Sequence, residues 1–153
     1  MKRVGVISDT HGLLRPEAID ALQGSDFIVH AGDIGNQDVI NSLCDIAPVT
    51  AVRGNTDRGD FGARFPINDV LKVEDVFIYT LHILEDLNLD PAASGFHVVV
   101  TGHTHKPLME TKEGVMYLNP GSAGPKRFSL PTTIASLIVA GSEVQSEILE
   151  LSV

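Results

Sequence analysis

The sequence predicts an α/β fold with two packed sheets, on three observations. The first third of the chain alternates apolar strands with amphipathic helices, the pattern of parallel βαβ units. The second half changes to short strands joined by tight turns, which reads as a second sheet packed on the first. No linker, repeat or low-complexity stretch interrupts the 153 residues. That length suits one domain with a substantial core.

The elements follow in chain order. Residues 3–8 form an apolar strand that ends at Asp9. Pro16 to Gln23 reads as a helix: proline is tolerated in a first turn, Glu17 suits the positive helix end, and Ala18, Ile19 and Leu22 share one side. Asp26 to Ala31 is a second buried strand, ending at Gly32-Asp33. Asn36 to Ala47 is a second helix with Val39, Ile40 and Leu43 as its apolar stripe. Val49 to Val52 is a third strand, ending at Gly54-Asn55. The glycines at 59 and 62 mark Thr56 to Phe65 as the most flexible piece. Val70–Val73 and Val76–Leu81 form a hairpin. Residues 84–96 are expected as a loop with one short helix, interrupted at Asp90-Pro91 and Ser94-Gly95. A strand over Val98–Thr101 precedes a hairpin of Leu108–Lys112 and Val115–Leu118. Asn119-Pro120-Gly121-Ser122 is a strong turn signal. Thr132–Val139 and Glu143–Leu151 are the last strands.

Composition narrows the function classes. A net charge of −9 repels nucleic-acid backbones and anionic membranes at long range. Aromatic content of 5% without tryptophan disfavours a base-stacking platform. No apolar run approaches the ~20 residues needed to span a bilayer. The amino terminus lacks a secretory h-region and reads as a strand. A single cysteine, Cys44, excludes an internal disulfide framework and is expected to be packed in the second helix. Together these favour a cytoplasmic protein.

The chemistry gathers where strands end. Asp9, His11, Asp33, Asn55, His82, His103 and His105 all follow apolar runs. In parallel sheets, loops at the carboxyl ends of strands carry the functional groups. Alone, Asp9 could be a helix cap, His11 a loop histidine, and Asp33 and Asn55 ordinary turn residues. As a set, they offer imidazole, carboxylate and amide ligands to hard or borderline divalent ions. The set contains no thiolate, which argues against a structural zinc site.

In order and spacing, Asp9-Thr10-His11, Gly32-Asp33, Gly54-Asn55, His82 and Gly102-His103-Thr104-His105 resemble the five blocks of the calcineurin-like metallophosphoesterase superfamily. Gly54-Asn55-Thr56-Asp57 and Asn119-Pro120-Gly121-Ser122 resemble its small single-domain branch, the YfcE-type phosphodiesterases. The resemblance implies a metallophosphatase fold, a four-layer αββα sandwich of two mixed sheets flanked by helices. It implies one domain over residues 1–153 without a separate cap, since only 20 residues lie between His82 and His103. It implies two divalent ions, Mn²⁺ first, with Ni²⁺, Fe²⁺, Zn²⁺ or Mg²⁺ as alternatives. Asp9, His11 and His105 would hold one ion, Asn55, His82 and His103 the other, and Asp33 would bridge them. Asp33, Asn55 and His103 are the expected catalytic residues. Asn55, Asp57 and Arg58 are the expected substrate contacts.

The implied activity is hydrolysis of a small phosphodiester by in-line attack of a metal-bridging hydroxide. Two divalent ions outweigh Asp9, Asp33 and that hydroxide, so the pocket is net positive inside an acidic protein. The alternative is a non-catalytic binding scaffold of the Vps29 type that retains the fold and the metal site. No long nucleic acid and no membrane are expected as partners. Association into a dimer or tetramer is left open, with the Leu84–Phe96 loop as a contributor.

Two departures from the pattern carry expectations. Thr56 stands where many relatives have a histidine that protonates the leaving group, which biases the chain toward diesters or good leaving groups. The run His82-Ile83-Leu84 replaces the His-Gly-His usual in the small branch, so a different turn is expected after His82. His30 is read as a packed histidine. Asp57 could contact a ligand or simply stabilise its turn. Arg53, Arg58, Lys126 and Arg127 are further phosphate-contact candidates.

Overall fold

The computed structural model describes residues 1–153 as two five-stranded sheets. The elements run β1 (Lys2–Ile7), α1 (Pro16–Leu22), β2 (Phe27–His30), α2 (Gln37–Cys44), β3 (Val49–Ala51), α3 (Gly59–Ala63), β4 (Asn68–Val73) and β5 (Val76–Leu81), followed by a 3₁₀ turn at Leu84–Asp86. Then come β6 (Val98–Val100), β7 (Leu108–Lys112), β8 (Val115–Asn119), β9 (Thr133–Ala140) and β10 (Glu143–Glu150). Element ends differ from the expected ones by a residue or two, except at α2, which stops at Cys44.

The first sheet has the order β10-β9-β1-β2-β3, and the second β4-β5-β6-β8-β7. β1, β2 and β3 are mutually parallel, and so are β5, β6 and β8. Antiparallel strands complete each sheet: β9 and β10 on the first, β4 and β7 on the second. This is the mixed two-sheet arrangement the sequence predicts.

Alternate residues of β1, β5, β6 and β9 point between the sheets. Val4, Val6, Ile78, Val98, Val100 and Leu137 are fully buried there and form one apolar cluster. Burial on this scale contributes roughly 1.5–3 kcal/mol per large side chain. The opposite face of the first sheet is covered by α1 and α2 through Ala18, Leu22, Val39, Ile40 and Leu43. On α2 the Asn36 side chain accepts a hydrogen bond from Val39 N at 3.2 Å, capping the helix.

The outer layer of the second sheet is thin. No α-helix covers it. Instead the 84–96 segment lays Leu87, Leu89 and Phe96 over Tyr79, Leu81, Val99 and Val115. The apolar side chains of that segment are therefore spent on the chain's own sheet.

Two expectations need correction. Thr56 to Phe65, expected as the most flexible piece, contains α3 (Gly59–Ala63), with Phe61 of the helix and Phe65 just beyond it packed against the core. Their rings meet edge to face at 5.2 Å. Cys44 is exposed rather than packed. It is the last residue of α2 and lies outside the buried stripe of Val39, Ile40 and Leu43.

A candidate metal centre at the carboxyl ends of the strands

All seven candidate ligands lie just beyond carboxyl ends of parallel strands. Asp9 and His11 follow β1, Asp33 follows β2 and Asn55 follows β3; His82 follows β5, and His103 and His105 follow β6. The two sheets thus present their functional loops at one common edge. Two cross-sheet hydrogen bonds tie that edge together. His103 N donates to Asp9 Oδ2 at 3.1 Å, and His82 Nδ1 donates to Ala31 O at 2.7 Å.

The backbone there is unusual. Asp9, His11, Asp33, His103 and His105 have φ of 56°, 46°, 56°, 72° and 63°. Non-glycine residues rarely enter this left-handed region, and each instance costs on the order of 1–3 kcal/mol. Asp9, Asp33 and the two histidines of the HxH bend share it, so the bend alternates left-handed and ordinary residues. Gly32 and Gly102 make room. A Cβ on Gly32 would sit 2.7 Å from His82 Nδ1, and one on Gly102 would collide with Ser8 Oγ and Asp9 Oδ2.

Each carboxylate has one oxygen tied down and one free. Asp9 Oδ2 accepts from Ser8 Oγ at 2.7 Å and from His103 N. Asp9 Oδ1 has no hydrogen-bond partner although it is buried. It faces His105 Nε2 at 3.3 Å, and His11 Nε2 and His82 Nε2 at 3.9 Å each. Asp33 Oδ1 accepts from Thr56 N at 2.9 Å. Asp33 Oδ2 lies 3.2 Å from His82 Nε2 and 3.7 Å from His11 Nε2, between the two histidines.

These contacts divide the residues into two clusters, Asp9–His11–His105 and Asp33–His82–His103. Within each, one ligand atom from every residue lies within 4.8 Å of the others. Asn55 joins the second through its Oδ1, 3.1 Å from His103 Nδ1. The structure therefore brings all seven residues to one place. The changed turn after His82 does not displace it. Ile83 is extended (φ −111°, ψ 118°) and needs no left-handed conformation, and the His82 side chain is 3% exposed.

The buried atoms suit a cation. Asp9 Oδ1, His11 Nε2 and His82 Nε2 are buried, converge within 3.9 Å and have no hydrogen-bond partner. A buried unpaired polar group costs about 1–3 kcal/mol, so three converging on one spot suit an ion that takes their lone pairs. Because His82 Nδ1–H donates to Ala31 O, Nε2 is the nitrogen left to bind. A carbonyl behind a histidine is the usual way of fixing a metal-binding tautomer.

Electrostatics agree. Burial alone would push both carboxyls up. At Asp9 the His105 imidazole and Ser8 hydroxyl outweigh burial, and at Asp33 the His82 imidazole and Thr56 N–H do so. Both acids lie below the ordinary carboxylate range and are ionised at neutral pH. Burial would push His82 down, but Asp33 and Asp9 reverse this and hold its pKa above the ordinary value. Without a metal, the proton is the cation that these carboxylates draw to His82.

A second tier of residues holds the loops. The Asp57 carboxylate accepts from Ile34 N, Gly35 N and Gly54 N at 2.9–3.1 Å. It is 5% exposed. Of its two expected roles, the structure gives it the turn-stabilising one, because both oxygens are filled by backbone donors and none is left for substrate. Arg58 is exposed at the start of α3. Arg53 donates to Phe65 O and Lys126 to Val153 O.

His30 is packed, as its position in β2 suggests. Gly32 N donates to its Nδ1 at 3.1 Å, so Nε2 carries the proton and donates to Thr10 Oγ1 at 2.9 Å; that hydroxyl donates to Ile34 O at 2.8 Å. This chain of bonds accommodates only neutral imidazole, and burial pushes its pKa down to about 4.

Ser8 and Asn119 were not anticipated as supports. Asn119 Nδ2 donates to Gly102 O at 2.9 Å and to Thr104 Oγ1 at 3.2 Å, clamping the HxH bend. Ser122 Oγ donates to Asp9 O at 3.0 Å. Their sequence signals were only a serine before Asp9 and a turn motif at 119–122.

Residues 1–142 match the family model of the calcineurin-like phosphoesterase superfamily domain. The chain belongs to that superfamily. Among curated proteins it is 33% identical to a probable metallophosphoesterase of Methanothermobacter thermautotrophicus, over 95% of this chain and 91% of that one. It is 30% identical to the phosphodiesterase YfcE of Escherichia coli K12, over 90% and 88%. Among solved structures, Vps29 of Chaetomium thermophilum superposes with a TM-score of 0.79 at 16% identity, covering 97% of both chains. That last likeness shows a shared fold alone. As a metallophosphoesterase-family protein with two clusters of candidate ligands, the chain has the residues for divalent metal binding.

Proposed function

We propose that this calcineurin-like phosphoesterase is a dinuclear-metal-dependent phosphodiesterase acting on a small diester. One observation carries the dinuclear reading: Asp33 Oδ2 lies between His11 Nε2 and His82 Nε2, one from each cluster, at 3.7 and 3.2 Å. Asp9, His11 and His105 hold one ion in this reading, and Asn55, His82 and His103 the other, with Asp33 shared. Mn²⁺ is the preferred ion, because a mixed imidazole, carboxylate and amide set favours a borderline-to-hard metal.

When bound, two such ions supply an activated water near neutral pH and two Lewis acids for the phosphoryl oxygens. The chain's own residues do the rest. Asp33 and Asp9 are ionised and offer their free oxygens. The Ala31 carbonyl keeps His82 in the tautomer with a free Nε2. His103 and Asn55 are the exposed members of the set, so they lie where substrate arrives and can orient it for in-line attack at phosphorus. Diester preference rests on the YfcE relationship and on Thr56, which cannot serve as a histidine acid for a poor leaving group.

The test is to purify the protein without chelator, count metals by mass spectrometry and assay a chromogenic diester and monoester with Mn²⁺. The expected result is two metals per chain and faster diester turnover. No turnover of either ester at full occupancy would overturn the enzyme reading in favour of a binding scaffold.

A further inference from the structure

Beside His103 lies a cavity of about 340 Å³ that no metal ligand other than His103 lines. We propose that this cavity receives one ester arm of the substrate, and that the arm is uncharged, apolar and of single-ring size. The inference rests on the phosphoesterase reading above, since it places the phosphorus at the metal ligands.

Position comes first. A phosphate held at the metal clusters has His103 as a neighbour, and the cavity begins at the same residue. It runs from the HxH bend toward the 3₁₀ turn after β5 and the start of β7. An ester substituent leaving the phosphorus on that side enters it directly.

The lining sets the chemistry. Leu84, Pro107 and Leu108 supply apolar surface. Leu108 is 43% exposed, an aliphatic side chain only partly covered by protein. Two of the polar lining groups are already engaged with each other. Asn119 Nδ2 is spent on Gly102 O and Thr104 Oγ1, and Thr104 Oγ1 also accepts from Lys106 N at 3.1 Å. The exposed wall of the cavity is mostly apolar, so apolar contact is the main means of recognition. Glu85 and Lys106 both line the cavity and offset each other, so it has no net attraction for a charged arm.

Size follows. Ligand sites commonly run ~300–1,000 Å³, and this one is at the small end. It has room for one ring with its substituents, not for a chain of nucleotides.

Calorimetric titration of the Mn²⁺-loaded protein with methylphosphonate and phenylphosphonate tests this, since each has one arm fixed to phosphorus. The phenyl compound is expected to bind roughly ten- to hundredfold more tightly, from burial of the ring. In Leu108→Asn, which removes apolar contact without adding a charge, that advantage is expected to collapse, with methylphosphonate binding unchanged as the sign of an intact fold and centre. Equal affinities in the wild type, or an advantage that survives in Leu108→Asn, would overturn the inference. Phenyl-selective binding without diester turnover would sink the phosphodiesterase reading and leave the cavity assignment standing. Binding of neither phosphonate would remove the metal centre as a phosphate site, and the cavity assignment with it.

Discussion

Asp33 is where the two clusters meet. Its Oδ1 is held by Thr56 N and its Oδ2 faces both His11 and His82. Asp33→Asn keeps a hydrogen-bond acceptor for Thr56 N while removing the shared charge. The expected result is a fold that survives, fewer than two metals per chain, and kcat/KM on a chromogenic diester lowered by roughly 10³ or more, in keeping with the weight of electrostatic preorganisation. A variant with wild-type turnover would show that bridging is not needed. His30 makes a different kind of prediction, about stability. Its folded pKa is about 4 against an unfolded value near 6.5, because complete burial opposes a charge. The unfolded chain thus binds the proton first. The contribution is fully present above pH ~6.5 and is lost as pH falls toward 4, about 2–3 kcal/mol over that window. His82, Asp9 and Asp33 do not mimic it. His82 is raised, so its contribution is present below pH ~6.5 and fades as pH rises, and the depressed acids lose theirs only below ~4. Urea unfolding of chelated protein at pH 7 and 4.5, in wild type and in His30→Gln, checks this. Parallel loss in both would refute the assignment to His30.

The loops are held by their neighbours as much as by their own sequence. Asn119 ends β8, yet it clamps the bend after β6 through Gly102 O and Thr104 Oγ1. Asn119→Ala would leave a buried carbonyl short of a partner and free a bend whose two histidines are in left-handed conformation. We expect a loss of about 1–3 kcal/mol in unfolding free energy and roughly 10–100-fold weaker metal binding, the usual effect of removing an outer support. Metal titration by calorimetry measures the second. Unchanged affinity would mean that the bend holds itself. Asn119 also shows which parts of the site were legible in the sequence. Asp9, Asp33, Asn55 and the HxH pair could be read because each ends an apolar run, a signal contained within a few residues. The hydrogen bonds of Asp57 to Ile34 N and Gly35 N, and of Asn119 to Gly102 O and Thr104 Oγ1, could not, because they join loops distant in the chain. Asp57 looked equally suited to ligand and turn, and only its meeting with Ile34 N and Gly54 N decides between them. α3 was obscured for a related reason. Its two glycines argue for a loop locally, while Phe61 and Phe65 gain more from a core that the local sequence does not reveal.

At the scale of the molecule, charge and architecture act in opposite senses on the substrate. The chain carries −9, while its metal ligands gather at one edge of the sandwich where bound divalent ions would make a local positive site. A small anionic ester meets repulsion at a distance and attraction on arrival. The range of the two differs. Surface charge acts over a Debye length of ~30 Å at 0.01 M salt and only ~8 Å at 0.15 M, whereas contact with a bound ion is barely screened. Added monovalent salt should therefore help binding of a small anionic diester, lowering its KM roughly two- to fivefold between those ionic strengths, because focusing fields of this kind change encounter by about tenfold or more. A long polyanion cannot confine its charge to the site and keeps paying the surface repulsion at every phosphate. A 20-nucleotide single strand is accordingly expected to be a poor competitor of the diester at low salt, opposite to a nucleic-acid-binding protein, whose affinity is highest there. Steady-state kinetics across a potassium chloride series, with and without the oligonucleotide, reads both effects. A KM that rises with salt, together with strong competition by the oligonucleotide at 0.01 M, would mean that a basic track not evident in the acidic composition guides the substrate, and that the small-ester reading is mistaken.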